Sequence, residues 1–298
     1  MAVAQAQAGV SKSERVPRLN TRAAMLRLRR NRSVVLAIGF LVLLALLALF
    51  GEFIGVPSPT KTNPKDAFAS PSGKFWFGTD ELGRDLFART VFGARVSLAI
   101  SAIVVIASAC IGVPFGLLAG YVGGKTDTIL MRLMDVILAF PSILLALGLI
   151  AVMGMGFLPA AVAVTVVSIP GFARLMRASV LAEKEQEYVL AARSIGCSPP
   201  RLMVRTLLPN CLAPVIVQAA FIATWAVLLE AGLSFLGLGV RPPTPSWGQM
   251  LSQSKVFLYR SPWYGLFPGI TLTLVVLSLY TMGDAAQRKF GRTRESLL

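Results

Sequence analysis

Long uncharged stretches alternate with short polar connectors along this chain. Residues 33–51, 96–124, 136–173, 206–229 and 261–283 contain no Asp, Glu, Lys or Arg. A membrane span takes about 20 apolar residues, so the 136–173 run is too long for one helix. Gly154, Gly156 and Pro159 interrupt its middle, where glycine and proline mark a turn, and the run reads as two helices. The pattern predicts an all-α, polytopic membrane protein with six transmembrane helices and both termini on one side. The expected organisation is a basic segment 1–32, a first span 33–51, a polar loop 52–92, a core 93–284 containing a polar segment 183–210, and a tail 285–298. The 33–51 run exceeds the apolar region of a signal peptide, and no A-x-A-like site closes it. Residues 18–32 suit either a basic helix on the membrane surface or a simple topology anchor.

Composition supports this reading. The 298 residues are 55% hydrophobic and 14% charged, whereas an ordinary soluble domain is about 25% charged. Such hydrophobicity also excludes a disordered chain. The net charge is +15. A nucleic-acid binder would interleave its basic residues with polar and aromatic ones. Here apolar runs separate the basic clusters, as in a membrane protein that obeys the positive-inside rule. A cytoplasmic N-terminus places Lys125, Arg132, the Arg174–Arg205 cluster, Arg288, Lys289, Arg292 and Arg294 inside. The acids Glu52, Asp66, Asp80, Glu81 and Asp85 then fall outside. The chain has no histidine, and Cys110, Cys197 and Cys211 lie far apart. Neither a metal-ligand spacing nor a disulfide framework is visible.

One motif is misleading. Ala119–Thr126 fits a relaxed phosphate-loop pattern. Such a loop needs a strand before it, a helix after it and a soluble sheet around it. Here an apolar helix precedes it, Asp127 follows and repels phosphate, and Ala119 replaces the first glycine. The segment reads as a Gly-rich turn between the second and third helices.

The most informative segment is 183–210, opened by Glu183, Glu185 and Glu187. Tyr188–Ile195 predicts a short helix, and Gly196 ends it as a C′ residue with positive φ. Ser198 suits an N-cap and Pro199 the first position of a second helix, running through Arg201 and Arg205 to Pro209. These are two short helices at an angle outside the membrane. Ala191 and Ala192 offer a small-residue face that a partner can approach closely. A helical hairpin lying on the lipid surface is the alternative.

Ala191-Ala192, Gly196 and Leu208-Pro209, at this spacing, resemble the "EAA" loop of ABC importer permeases. The motif's leading Glu is Leu190 here, which removes one candidate salt bridge. Phe77–Asp85, Arg95–Leu98 and Ala139–Ser142 before this loop, and Leu233–Val240 and Pro242–Gly248 after it, occur in that order. Together they resemble the C-type permease of the dipeptide/oligopeptide/nickel import family, over nearly all of the chain after about residue 25. The resemblance implies a type I ABC importer permease fold and a non-catalytic subunit that binds no cofactor itself. It implies a heterodimer with a B-type permease, two ATPase subunits that use ATP and Mg, an external solute-binding protein and contact with membrane lipid, but no nucleic acid. The expected location is the bacterial cytoplasmic (inner) membrane, multi-pass, with both termini cytoplasmic. The expected cargo is a dipeptide or oligopeptide, with nickel, glutathione or another small solute as the alternative. Leu190, Ala191, Ala192, Arg193, Gly196, Ser198, Leu208 and Pro209 form the implied ATPase-coupling loop.

Other residues carry several readings. Membrane-embedded charge is costly and often functional. Glu230 lies about 30 Å along a helix from Asn210. It is either an outer gate or binding-protein contact, or an interfacial carboxylate that keeps its water. Arg132 and Asp135, three apart, can meet on one helix face as a structural pair or an inner gate. Pro141 removes a backbone hydrogen bond and kinks the third helix. Asp80, Arg84 and Asp85 either dock a binding protein or fold their loop upon itself. Trp247, Trp263 and Tyr264 suit an outer aromatic belt. An intramembrane enzyme is disfavoured, because the Ser and Thr residues of the spans lack a His partner and no carboxylates pair at catalytic spacing.

Overall fold

The computed structural model describes the backbone of residues 21–295 and the side chains of residues 32–289. The basic residues before Arg32, and Arg292 and Arg294 of the tail, lie outside the described side chains. So does the first part of the expected surface helix at 18–20. The helices in chain order are α1 (Thr21–Phe50), α2 (Leu86–Val122), α3 (Gly124–Leu138), α4 (Ser142–Met153), α5 (Phe157–Glu183), α6 (Glu187–Ser194), α7 (Pro199–Leu202), α8 (Leu208–Phe235), α9 (Trp247–Ser254) and α10 (Trp263–Glu295). Among the described residues, five stretches are long and apolar enough to cross a membrane: Arg32–Phe50, α2, α5, the continuous run Pro199–Phe235, and Trp263–Lys289. The α3–α4 pair, bent by 86°, makes a sixth if it is one broken span.

That pair corrects the expected third helix. Pro141 does not kink a continuous helix. Ala139 N–H closes α3 onto the Asp135 carbonyl at 2.9 Å, and Pro141 adopts φ −53°, ψ 128° as the residue before α4. Proline disfavours helical backbone at the residue before it, so the chain stops and restarts in a new direction. By contrast, the turn at 154–156 is as expected: α4 ends at Met153, Gly154 has φ +90°, and α5 begins at Phe157. The helices also outrun the uncharged stretches. α2 begins ten residues before Val96, and α5 carries Arg174 and Arg177 to its end at Glu183. Arg89 meets Asp80 of the preceding loop, Arg95 the Ala48 carbonyl of α1, and Arg174 and Arg177 the acids of α3, partners that a linear pattern does not reveal.

The centre of the fold is the contact between α2 and α5. Gly112, Gly116 and Gly120 recur every four residues, so they form one stripe on α2. A Cβ at Gly116 would lie 2.2 Å from the Ala173 carbonyl oxygen; at Gly112, 2.7 Å from that of Ile169; at Gly120, 2.8 Å from Val180 Cβ. Small residues of this kind let helix backbones approach within a bilayer, where dispersion contacts drive association. Around the seam, Phe172, Met176 and Val180 of α5 join Ile100, Val104 and Leu117 of α2 and Val215, Ile222 and Leu229 of α8 in one buried cluster.

A second cluster brings Leu44 and Ala48 of α1 onto Ala94, Val227, Trp247 and Val275. Here the expected aromatic belt is corrected. Trp247 and Tyr264 are both fully buried. Trp247 donates its indole N–H to the Thr90 carbonyl at 2.8 Å, and the Tyr264 hydroxyl donates to Gln253 at 2.8 Å. Only Trp263 remains partly exposed.

The seam gives a sharp expectation. Gly116→Val should lower the yield of folded protein in mild detergent, because β-carbon and backbone oxygen cannot share that space. Gly39→Ala, where nothing lies within 4 Å, should leave the yield unchanged. Equal monodispersity of the two variants by size-exclusion chromatography would contradict the seam.

Candidate functional site

Between α5 and α8 the chain forms an elbow. α6 ends in a Schellman motif: Gly196 N–H donates to the Arg193 carbonyl at 3.0 Å and Cys197 N–H to the Ala192 carbonyl at 3.1 Å. Gly196 has φ +82°, the backbone region that favours glycine. Ser198 stands at the N-cap position of α7, but its hydroxyl makes no cap bond. The next two residues are Pro199 and Pro200, so the second helical position has no N–H to donate to it. The second short helix also departs from expectation at its far end. It does not stop at Pro209 but opens into a π-helical turn, Met203–Leu207, and runs on into α8. Leu208 N–H reaches the Met203 carbonyl, five residues back. Pro209 has no N–H to give and its ring would press on the carbonyl four residues earlier; the wider turn absorbs both problems.

The elbow has two faces. Val189, Leu202 and Leu207 are buried in the main cluster, with Ala192, Cys197 and Leu208 packed against it. Leu190, Ala191, Arg193, Ser194, Gly196, Ser198 and Pro209 are exposed, and Ile195 is 86% exposed at the tip. The two alanines therefore divide, Ala191 outward and Ala192 inward, and do not form a single exposed small-residue face. Further ties hold the elbow to α2 and α5. Lys184 Nζ donates to the Gly120 carbonyl at 3.2 Å, the Arg193 guanidinium lies 5.8 Å from the centre of the Tyr121 ring, and the Tyr188 hydroxyl donates to Glu183. Partial burial, then that bond to Glu183, raises the Tyr188 phenol above its ordinary pKa, so it acts as a neutral donor.

Next to the elbow, two ion pairs cross from α3 to α5. Arg177 grips both carboxylate oxygens of Asp127, at 2.5 and 2.6 Å, and Arg174 meets Asp135 at 2.6 Å. The expected Arg132–Asp135 pair is corrected by this arrangement: Asp135 takes its partner from α5, while Arg132 lines the same open pocket with Asp127, Asp135, Arg174 and Arg177. Each pair is partly solvated and stabilises by up to about 1 kcal/mol. Their value is in fixing the register of α3 on α5. The Gly-rich turn before α3 is the simple helix link expected, with Gly123 alone between α2 and α3.

At the opposite end of α8, Glu230 is fully buried. Ser97 Oγ donates to one of its carboxylate oxygens at 2.8 Å and Ser234 Oγ to the other at 2.7 Å. The reading of an interfacial carboxylate that keeps its water is therefore corrected: α8 continues past it to Phe235, and two hydroxyls take the place of water. Nearby, Asp80, Arg84 and Asp85 are turned into their own loop. Arg84 Nε meets Asp80 at 2.6 Å, the Arg89 guanidinium lies 3.4 Å from the same carboxylate, and Asp85 caps α2 by accepting from Ala88 N–H at 3.0 Å. Asp80 is fully buried and Asp85 nearly so, so the geometry favours loop closure over direct docking. Burial raises the Asp85 pKa, against the lowering by the Ala88 and Phe87 N–H groups. Sequence reasoning missed Ser97 and Ser234 as partners of Glu230. The one available signal was Ser234 four residues beyond Glu230, on the same helix face.

Five candidate crossings among the described residues, with the bent α3–α4 pair as a sixth if it is one span, a glycine-seamed core and an exposed helical elbow describe a polytopic membrane protein. Residues 112–295 match the family of binding-protein-dependent transport system inner membrane components, and residues 21–71 match the N-terminal TM domain of oligopeptide transport permease C. The chain belongs to the first of these families, whose members are non-catalytic membrane components. It is 40% identical over 263 residues to the dipeptide transport system permease protein DppC of Alkalihalophilus pseudofirmus, covering 88% of this chain and 86% of that one. It is 41% identical over 260 residues to the di/tripeptide permease DppC of Pseudomonas aeruginosa, covering 85% and 86%. The glutathione permease GsiD of Escherichia coli is 39% identical over 259 residues, covering 87% and 86%. In fold it is similar to an inward-facing structure of the MetNI methionine ABC transporter, with TM-score 0.57 and 22% identity over 68% of this chain and 95% of that one.

Removing the Glu230 carboxylate leaves two hydroxyls buried without it. Glu230→Ala should cost about 1–3 kcal/mol, read as a lower thermal midpoint in detergent, while Glu230→Gln keeps an acceptor and should lose less. An unchanged midpoint for Glu230→Ala would show that the network contributes nothing.

Proposed function

We propose that this chain is the permease subunit of an ATP-driven importer of dipeptides and short oligopeptides. The supporting observation is the elbow: an exposed tip, closed by Gly196 and joined to α8 without a break. The identity to dipeptide and di/tripeptide permeases supports the cargo class. In this reading 93–284 is the permease core and 183–210 the coupling segment. The chain pairs with a B-type permease, two ATPase subunits bind ATP and Mg at the elbow side, and a solute-binding protein delivers cargo at the other. Both termini are cytoplasmic, the protein sits among lipids of the bacterial inner membrane, and the chain itself binds no cofactor.

The mechanics follow from the connections. ATP-driven closure of the partner subunits shifts the chain between two states only through contacts that differ between them. The exposed residues Leu190, Ala191, Arg193, Ile195 and Ser198 supply those contacts. Movement of the tip passes to α8 through the helical π turn and to α5 through Lys184 and Val189. α8 is 28 residues long, about 42 Å, so it carries the displacement to Glu230 and Ser234 at its far end. Glutathione is the second reading for the cargo, favoured by the similarity to a glutathione permease.

Co-expressed with its partner chains in liposomes, the wild-type chain should support uptake of labelled dipeptide that requires ATP and the binding protein. Gly196→Val forces a β-branched residue into positive φ. It should cut cargo-stimulated ATPase activity at least tenfold while the spans stay folded. Uptake of glutathione but not dipeptide would replace the cargo; ATPase stimulation unaffected by Gly196→Val would remove the elbow from the coupling path.

A further inference from the structure

A pocket of about 400 Å³ opens at the end of α8 away from the elbow, lined by Met155, Ser234, Gly237, Gly239, Val240, Arg241, Pro242 and Gln249. Its size falls within the range of small-molecule sites, about 300–1,000 Å³. The wall is built by the chain folding back over α8. Gly237 N–H donates to the Ser234 carbonyl at 3.0 Å and Leu238 N–H to the Leu233 carbonyl at 2.9 Å, a second Schellman motif. Gly239 then lies so close to Ser234 that a Cβ would fall 1.8 Å from Ser234 Oγ.

Three polar side chains line this otherwise apolar space. Gln249 Oε1 is buried without a hydrogen-bond partner among the described residues, an arrangement that costs free energy unless a bound water or ligand supplies a donor. Ser234 Oγ gives its single proton to Glu230 at 2.7 Å. A hydroxyl has one proton and two lone pairs, so its remaining capacity is that of an acceptor, polarised by the carboxylate behind it. Arg241 is exposed at the rim and makes no ion pair among the described residues. Two acceptors and one guanidinium in a small pocket match a ligand with a cationic donor and an anionic acceptor. Met155 adds an adaptable apolar wall that tolerates varied side chains.

We infer that this pocket is a substrate site for a short zwitterionic peptide, its ammonium group donating to Gln249 Oε1 and Ser234 Oγ and its carboxylate meeting Arg241. The inference rests on the import reading above and places the cargo on this chain. Because Ser234 also holds Glu230, an occupied pocket bears directly on the bond between α8 and Ser97 of α2.

The complete transporter in liposomes tests it, with labelled dialanine as the probe. Gln249→Leu and Arg241→Gln should each raise the KM for uptake about tenfold, with assembly of the complex retained. A dipeptide carrying a photoreactive diazirine should label Met155 or Val240. Unmodified dialanine should suppress that labelling, and N-acetyl-dialanine, which lacks the ammonium group, should not. Wild-type KM in both variants, labelling confined to other sites, or equal suppression by the acetylated peptide would overturn the site while leaving import intact. A wild-type transporter that moves no dipeptide at all would overturn the import reading and this inference with it.

Discussion

The approach of α2 to α5 along Gly112, Gly116 and Gly120 is the constraint on which the other contacts depend. Water cannot drive helices together inside a bilayer, so dispersion between closely spaced backbones must contribute much of the association. A carbonyl oxygen 2.2 Å from where a Gly116 Cβ would sit leaves no room for any other residue without a shift of backbone. Because the seam fixes α5, it also fixes Arg174 and Arg177, which hold α3, and Lys184, which reaches back to the Gly120 carbonyl. The start of the elbow is thus set by the same contact that builds the core.

α8 links the two ends of the molecule. At one end it grows out of α7 through a π turn made necessary by Pro209. At the other it carries Glu230 and Ser234, which bond to each other and to Ser97 on α2. A helix anchored by a buried carboxylate at one end and by an exposed tip at the other is suited to transmit displacement between opposite faces of a membrane. The α3–α4 break adds a bent element beside it, held to α5 by ion pairs that are individually weak and partly solvated.

Local signals were legible in the sequence. The uncharged runs located the spans, Gly154–Pro159 divided the long one, and Gly196 ended α6 with positive φ, because each depends on near neighbours in the chain. What escaped was tertiary. The Arg132–Asp135 spacing allows a pair, but Arg174 of α5 offers better geometry. Glu230 read as interfacial by its distance from Asn210, yet Ser97, more than a hundred residues away in sequence, satisfies it in the interior. Trp247 and Tyr264 carry the composition of an interfacial belt but find buried acceptors. Three glycines at four-residue intervals were visible in the sequence; their meaning required α5 to be placed against them.

In the proposed coupling path the elbow tip meets the ATPase subunits and carries their motion to α8. A photo-crosslinking residue at Ile195, 86% exposed at the tip, compared with one at Val152, 88% exposed at the far end of α4, tests this in the assembled complex. The account predicts a covalent adduct with an ATPase subunit from Ile195 and none from Val152. An ATPase adduct from Val152, or adducts from Ile195 with lipid alone, would contradict it.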